Sequence, residues 1–175
     1  KVYHLIGASN LTQLFRDLLF RKNNLPLIHS MFLKWHHYKL YFQAPLQIMH
    51  RAKSRGIEPS LTSWILKLID NGDQIIDIGS SYGFISLIVA LRLQNSGGKV
   101  FAFESEKFVY DIFSDTIKKN GLSHTIEAHN IFVWSNDKLD KKTIDTILLN
   151  TAQDIKLIKI DTDGSDYDCL IGCKS

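Results

Sequence analysis

Apolar residues recur along this chain in two rhythms, and the change between them falls near residue 70. Before it the spacing is helical. Asn10 is a good cap for a helix carrying Leu11, Leu14, Phe15, Leu18 and Leu19 on one stripe. Pro26 opens a second helix with Leu27, Met31 and Trp35 on one face, and Pro45 a third with Leu46, Met49 and Ala52. Pro59 and Ser60 start a fourth, with Leu61, Trp64, Ile65, Leu68 and Ile69 facing one way and Asn71-Gly72 as its stop. Beyond it, short apolar runs at 74–78, 99–104 and 155–160 alternate with segments of helical spacing such as Phe84, Leu87, Ile88 and Leu91. Strands alternating with helices predict an α/β fold, a Rossmann-like parallel sheet flanked by helices, preceded by a helical N-terminal segment.

The junction IIDIGSSYGFIS at 75–86 carries the most chemistry. An apolar strand holding Asp77 runs into the loop Gly79, Ser80, Ser81, Tyr82, Gly83, and a helix follows. Glycines let backbone turn sharply and approach a ligand closely, and the helix start offers free amides at its positive end. Asp77 stands near the carboxyl end of its strand, where open α/β sheets bind ligands. The second strand ends in Glu104, roughly 20 residues on, the spacing at which a βαβ unit offers a carboxylate to ribose hydroxyls. A nicotinamide site would use the same acid but a G-x-G-x-x-G loop. Here Ser81 takes the middle glycine's place and an acid precedes the loop, so the pattern leans toward S-adenosylmethionine.

Four segments together resemble the FkbM-type S-adenosylmethionine-dependent methyltransferases, over about residues 59–172: DIGSSYGFIS at 77–86, FAFESE at 101–106, KKNGLSHTIEAHNIFVWSND at 118–137, and TIDTIL at 143–148 with IKLIKIDTDGSDYDCLIG at 155–172. The resemblance implies a class I methyltransferase sheet and cofactor contacts from Asp77, Gly79, Ser80, Ser81, Tyr82, Gly83, Glu104, Ser105 and Asn130. It also implies methyl transfer to a hydroxyl, often on a sugar or small metabolite. An oxygen acceptor needs a base within hydrogen-bond reach. Asp161, at the end of the fourth strand, is the first choice, with Asp163 and Asp166 behind it. Two places depart from the family pattern. Asp166 stands where a glutamate is usual, and few residues separate Trp134 from Thr143. Glu58 and Ser60 are weaker candidates for enclosing the methionine end of the cofactor.

Such sheets have seven strands in the order 3-2-1-4-5-7-6, and letters for only the first four are present. An apolar run such as 155–160 makes a poor sheet edge. The expectation is that further residues exist, near 137–142 or after 175, or that another chain covers this strand.

Charge sharpens the division of the chain. Residues 1–60 hold nine Lys or Arg against Asp17 and Glu58, a net charge of +7, whereas residues 61–175 hold 12 basic and 16 acidic groups, a net of −4. The chain thus reads as a basic segment, 1–58, on a cofactor-binding domain, 59–175. The basic segment keeps an RNA-directed methyltransferase open as an alternative, and the missing strands keep open a catalytically silent cofactor-binding or assembly module. The composition, 45% hydrophobic and 22% charged, suits a soluble, cytoplasmic globular protein, and no apolar run approaches the roughly 18 residues of a membrane span. Peripheral membrane contact and a homo-oligomer remain open. The acids Asp161, Asp163, Asp166 and Asp168 could together hold a divalent ion, a minor reading beside that of a metal-free site. The histidines have no zinc spacing, and Cys169 and Cys173 are packing residues of a reducing compartment.

Overall fold

The computed structural model describes residues 26–137, 141–148 and 154–173. The helix expected over 11–19 lies outside them.

The second expected helix is not formed. Residues 28–45 fold as an antiparallel hairpin, β1 (Ile28–Trp35) and β2 (Tyr38–Pro45), turning at His36 and His37 with Trp35 opposite Tyr38. The reason lies in the spacing. Leu27, Met31 and Trp35 recur every fourth residue, and four is even, so the same pattern that marks one face of a helix also marks one face of a strand. The finer alternation decides: Leu33 and Trp35 on β1, and Leu40, Phe42 and Ala44 on β2, are buried, while the residues between them are more open. Aromatic residues fit this pleated, half-buried surface.

Helix α1 (Leu46–Ser54) forms where Pro45 predicts it, and buries Met49 and Ala52. Helix α2 (Pro59–Leu68) also forms, with Pro59 in its first turn, but its expected apolar stripe splits. Thr62 and Ile65 face the core with Ile69 beyond the helix end, whereas Leu61, Trp64 and Leu68 lie on the outer side, Trp64 at 64% exposure.

The sheet has the order β5-β4-β3-β8, all parallel, built from β3 (Gln74–Ile78), β4 (Lys99–Phe103), β5 (Ile126–His129) and β8 (Ile155–Ile160). This is the 3-2-1-4 arrangement that the family resemblance implies, with β8 at one edge among the described residues. Helices α3 (Phe84–Leu93) and α4 (Lys107–Lys119) are the crossovers from β3 to β4 and from β4 to β5. A short parallel pair, β6 (Phe132–Val133) and β7 (Lys141–Lys142), precedes α5 (Ile144–Leu148), and α6 (Asp166–Ile171) follows β8.

Two apolar clusters hold these layers together. The larger joins the hairpin, α1 and α2 to α3, α4 and alternate residues of β3 and β4. Phe84 carries the seam, with the Trp35 and Phe42 rings edge-on to it at 6.2 and 5.6 Å. Helix α3 is consequently buried nearly all round, from Phe84 to Ala90 and again at Leu93, which explains its lack of a polar face. The smaller cluster packs Ile76, Ile78, Phe101 and Phe103 against Val133, Ile144, Leu148 and Cys169.

The hairpin is also fixed by polar contacts. The Asn120 side chain accepts from Tyr41 N and donates to Tyr41 O, both at 2.8 Å, pairing the backbone of β2 as a neighbouring strand would. Strand order reverses at β3: β4 and β5 lie on one side of it and β8 on the other. A crevice opens there at the carboxyl ends of the strands, as in other open α/β sheets.

Candidate active site

The crevice encloses about 620 Å³, within the range of small-molecule sites. Its walls come from five places: the β3–α3 loop, the segments after β4 and after β5, the loop after β8, and a wall of Phe42, Ile48, Arg51, Ile57 and Glu58 from β2, α1 and the turn into α2.

The β3–α3 loop is tied to its neighbours by backbone. Gly79 N and Ser80 N both donate to Phe103 O, at 2.9 and 3.0 Å, and Gly83 N donates to Ser80 O at 2.9 Å. Gly79 has φ +76°, and a Cβ there would stand 2.0 Å from the Asp161 carbonyl oxygen. Its lack of a side chain is what lets the loops after β3 and β8 touch. Gly83 lines the cavity and must also lack a side chain for packing, because a Cβ there would overlap the Phe113 ring of α4 at 2.0 Å.

Glu104 closes the other side of this loop. Its two carboxylate oxygens accept Ser81 N at 2.9 Å and Glu106 N at 2.8 Å. Each oxygen retains a lone pair for a further donor, and the residue lines the cavity. Asn130 fixes the backbone behind it, donating to Glu104 O and Ser105 O at 2.9 and 3.0 Å. Tyr82 is buried, and burial, reinforced by the negative charges of Glu104 and Glu106, pushes its phenol pKa up.

Asp77 sits beneath the loop, 2% exposed. Ser86 Oγ donates to its Oδ2 at 2.5 Å. Its Oδ1 accepts no well-angled hydrogen bond and faces the Lys159 ammonium at 3.0 Å. Asp77 and Lys159 are opposite each other in the register of β3 and β8. Lys159 Nζ also donates to Gly79 O at 3.0 Å and stands 4.0 Å from Asp161 Oδ2. One buried ammonium therefore joins the strand acid, the glycine loop and the acid after β8. Sequence reasoning missed Lys159. The signal was a base in one apolar run and an acid in another, which the parallel register brings together.

The acids after β8 divide. Asp161 and Asp163 line the cavity and are exposed. Asp166 is not among the cavity's lining residues; its Oδ1 accepts Thr162 N at 2.7 Å and Thr162 Oγ1 at 2.8 Å, so it folds the loop. Those donors hold the Asp166 carboxyl below the usual carboxylate range. Asp168 accepts from Ser135 Oγ at 3.0 Å. Among the described residues no group of three or more His, Cys, Asp or Glu is placed to hold a metal ion. Cys169 is buried and Cys173 half-buried, and burial pushes the Cys173 thiol up to about 11.

The donor set suits S-adenosylmethionine. Six carboxylates line the cavity (Glu58, Asp77, Glu104, Glu106, Asp161, Asp163) against Arg51 and Lys159, a balance that favours a sulfonium cation. The Glu104 carboxylate is held just after β4 at the cavity wall, where it can accept further hydrogen bonds from hydroxyl donors.

No curated protein matches the sequence. Among solved structures, the fold is similar to an O-methyltransferase from Bacillus cereus in complex with SAH, at 20% identity and TM-score 0.48, covering 66% of this chain and 50% of that one. It is also similar to the methyltransferase FkbM from Methylobacillus flagellatus, at 18% identity and TM-score 0.51, covering 61% and 30%. A SAM-dependent O-methyltransferase from Thermotoga maritima aligns at 20% identity and TM-score 0.43, covering 81% and 60%. The chain thus spans half the length of the first of these and under a third of the second. The family model for O-methyltransferases matches residues 37–170, well over half of the chain and every wall of the cavity. The chain belongs to this O-methyltransferase family, with S-adenosylmethionine as its cofactor.

Proposed function

We propose that the protein is an S-adenosylmethionine-dependent O-methyltransferase of the FkbM type, acting on a hydroxyl of a sugar or small metabolite. The observation that carries this reading is the cavity at the reversal of strand order, with Glu104 after β4 on one side of β3 and Asp161 after β8 on the other. A cofactor and an acceptor can meet between them.

In this reading Asp77, Gly79, Ser80, Ser81, Tyr82, Gly83, Glu104, Ser105 and Asn130 make the cofactor site. Glu104 takes the ribose hydroxyls, and Asn130 and Ser105 hold the segment that carries it. Asp77 acts through Lys159 and Ser86, setting the loop. Bound there, S-adenosylmethionine supplies an electrophilic methyl group. Holding reactants in near-attack geometry is worth about 7–11 kcal/mol, so most of the chain's work is positioning. Asp161, exposed to the cavity, accepts the proton of the acceptor hydroxyl; Asp163 borders the same space, and Asp166 sets the loop. Of the segment 1–58, Phe42, Ile48, Arg51, Ile57 and Glu58 contribute the acceptor-side wall, and the domain over 59–175 supplies the cofactor fold, in a cytoplasmic protein. No helix among the described residues is long and apolar enough to cross a membrane.

Methyl transfer to a panel of sugar and small-metabolite hydroxyls tests the reading. Asp161→Asn should lower kcat by about 10²–10⁴-fold, the range of a general base, while S-adenosylmethionine affinity stays within about twofold of wild type. An unchanged kcat removes Asp161 from the chemistry, and a wild-type chain that binds the cofactor yet methylates no hydroxyl sinks the O-methylation reading.

A further inference from the structure

The wall formed by α1 holds a cation that the cofactor site as described does not use. Arg51 lies one helical turn after Ile48, and both line the cavity, while Met49 and Ala52 on the same helix face the core. This face of α1 is therefore turned to the cavity. Lys53 and Arg55, equally basic and close in sequence, are not among the lining residues.

Arg51 is also uncommitted. Among the described residues its guanidinium makes no ion pair and donates no hydrogen bond, although five carboxylates besides Asp77 share the cavity with it. The only other base in the lining, Lys159, is taken up by Asp77 and Gly79 O. An anionic group entering this cavity meets Glu58, Glu104, Glu106, Asp161 and Asp163 on the other walls and is repelled by each. Arg51 offers the one charge of opposite sign, in a planar fork suited to carboxylate or phosphate. The neighbouring wall is firm: Glu58 is held at φ +43°, its carbonyl accepting Thr62 N at 2.9 Å and Thr62 Oγ1 at 3.1 Å, with Thr62 fully buried.

We infer that Arg51 is the oxyanion-binding residue of this cavity, fixing a carboxylate or phosphate group on a bound molecule. The inference rests on the proposed cofactor site. Two molecules could bring the oxyanion: the cofactor through its methionine carboxylate, or the acceptor through a carboxylate or phosphate near its reacting hydroxyl.

Calorimetric titration of wild type, Arg51→Ala and Arg51→Lys separates the sources. The probes are S-adenosylhomocysteine, 5′-methylthioadenosine, which lacks the amino-acid end, and inorganic phosphate added to the free and to the S-adenosylhomocysteine-saturated protein. If the cofactor brings the oxyanion, Arg51→Ala weakens S-adenosylhomocysteine by about tenfold or more and leaves methylthioadenosine unchanged, and Arg51→Lys restores part of the loss. If the acceptor brings it, both nucleosides bind as before and phosphate binding to the saturated protein falls about tenfold. Because the Arg51 side chain has no hydrogen-bond or ion-pair partner among the described residues, thermal unfolding of the variants should match wild type. Wild-type binding of S-adenosylhomocysteine, with all probes bound equally by Arg51→Ala, overturns the inference alone. If wild type binds no S-adenosylhomocysteine, the cofactor reading fails, and phosphate on the free protein decides Arg51 by itself: an affinity unchanged in Arg51→Ala overturns it.

Discussion

Strands β3 and β8 lie side by side and end at the same cavity, yet they are built differently. From Ile75 to Ile78 every residue of β3 is buried, and the loop beyond it runs into α3, which is buried almost throughout. Strand β8 alternates between half-buried and exposed from Ile155 to Ile158, with Ile158 at 40% exposure, and buries only Lys159. The acids they deliver differ in the same way: Asp77 is 2% exposed and paired, whereas the Asp161 side chain is 59% exposed and 4.0 Å from its nearest base. The β3 side of the cavity is thus part of the core, and its geometry is set by packing. The β8 side stands at the surface, where an acid such as Asp161 can change without disturbing the core.

Lys159 is the link between the two sides, and removing it should break the comparison most severely. Lys159→Met leaves Asp77 buried without a counter-ion, which costs about 3–5 kcal/mol. Denaturant unfolding should show that loss, and the double change Asp77→Asn with Lys159→Met should recover a large part of it. Equal destabilisation in the single and double variants would mean that the pair is not what joins β8 to β3.

The glycines sharpen the same contrast at the next level. Gly79→Ala combines a left-handed backbone with a Cβ driven against the Asp161 carbonyl, and should cost about 2–4 kcal/mol in unfolding measurements. Gly97 has nearly the same φ, +77°, with nothing near its Cβ position, so Gly97→Ala should cost only about 1 kcal/mol of backbone strain. A matching loss at the two sites would show that contact between the β3 and β8 loops is unimportant.

The smallest effect belongs to the exposed loop. Thr162 holds the Asp166 carboxyl below its ordinary value of 3.8. A group held low adds stability at pH above about 3.8 and loses it as pH falls through the depressed value. Hydrogen exchange at the Thr162 amide should therefore quicken as pH drops below 3.8, after correction for intrinsic rates. In Asp166→Asn the protection should no longer respond to pH in that window. A wild-type profile that is flat there would contradict this role for Asp166.

The contrast between the strands also explains what could be read from the sequence. The buried strand β3, the glycine loop and the acid ending β4 were legible, because a fully buried strand is written as an unbroken apolar run and a sharp loop as glycine, whereas the order of the four parallel strands was implied by the family resemblance. The hairpin was not, since every-fourth-residue spacing at Leu27, Met31 and Trp35 satisfies both periods. The split face of α2 was equally hidden: Leu61, Trp64 and Leu68 look like core until Thr62 is seen to take the inward position. Lys159 escaped because its partner lies 82 residues away in sequence and is fixed only by strand register. The acids after β8 were found as a group, but their separate fates depend on short contacts such as those from Thr162 to Asp166.

The central claim is that the buried side of this cavity is a working S-adenosylmethionine site. Titration calorimetry of the folded chain with S-adenosylmethionine, beside Glu104→Gln, tests it most directly. The account predicts micromolar binding by wild type, weakened about 10- to 100-fold in Glu104→Gln by loss of charge-assisted bonds to the ribose. A folded chain that binds no cofactor, or a Glu104→Gln variant that binds as tightly as wild type, would contradict it.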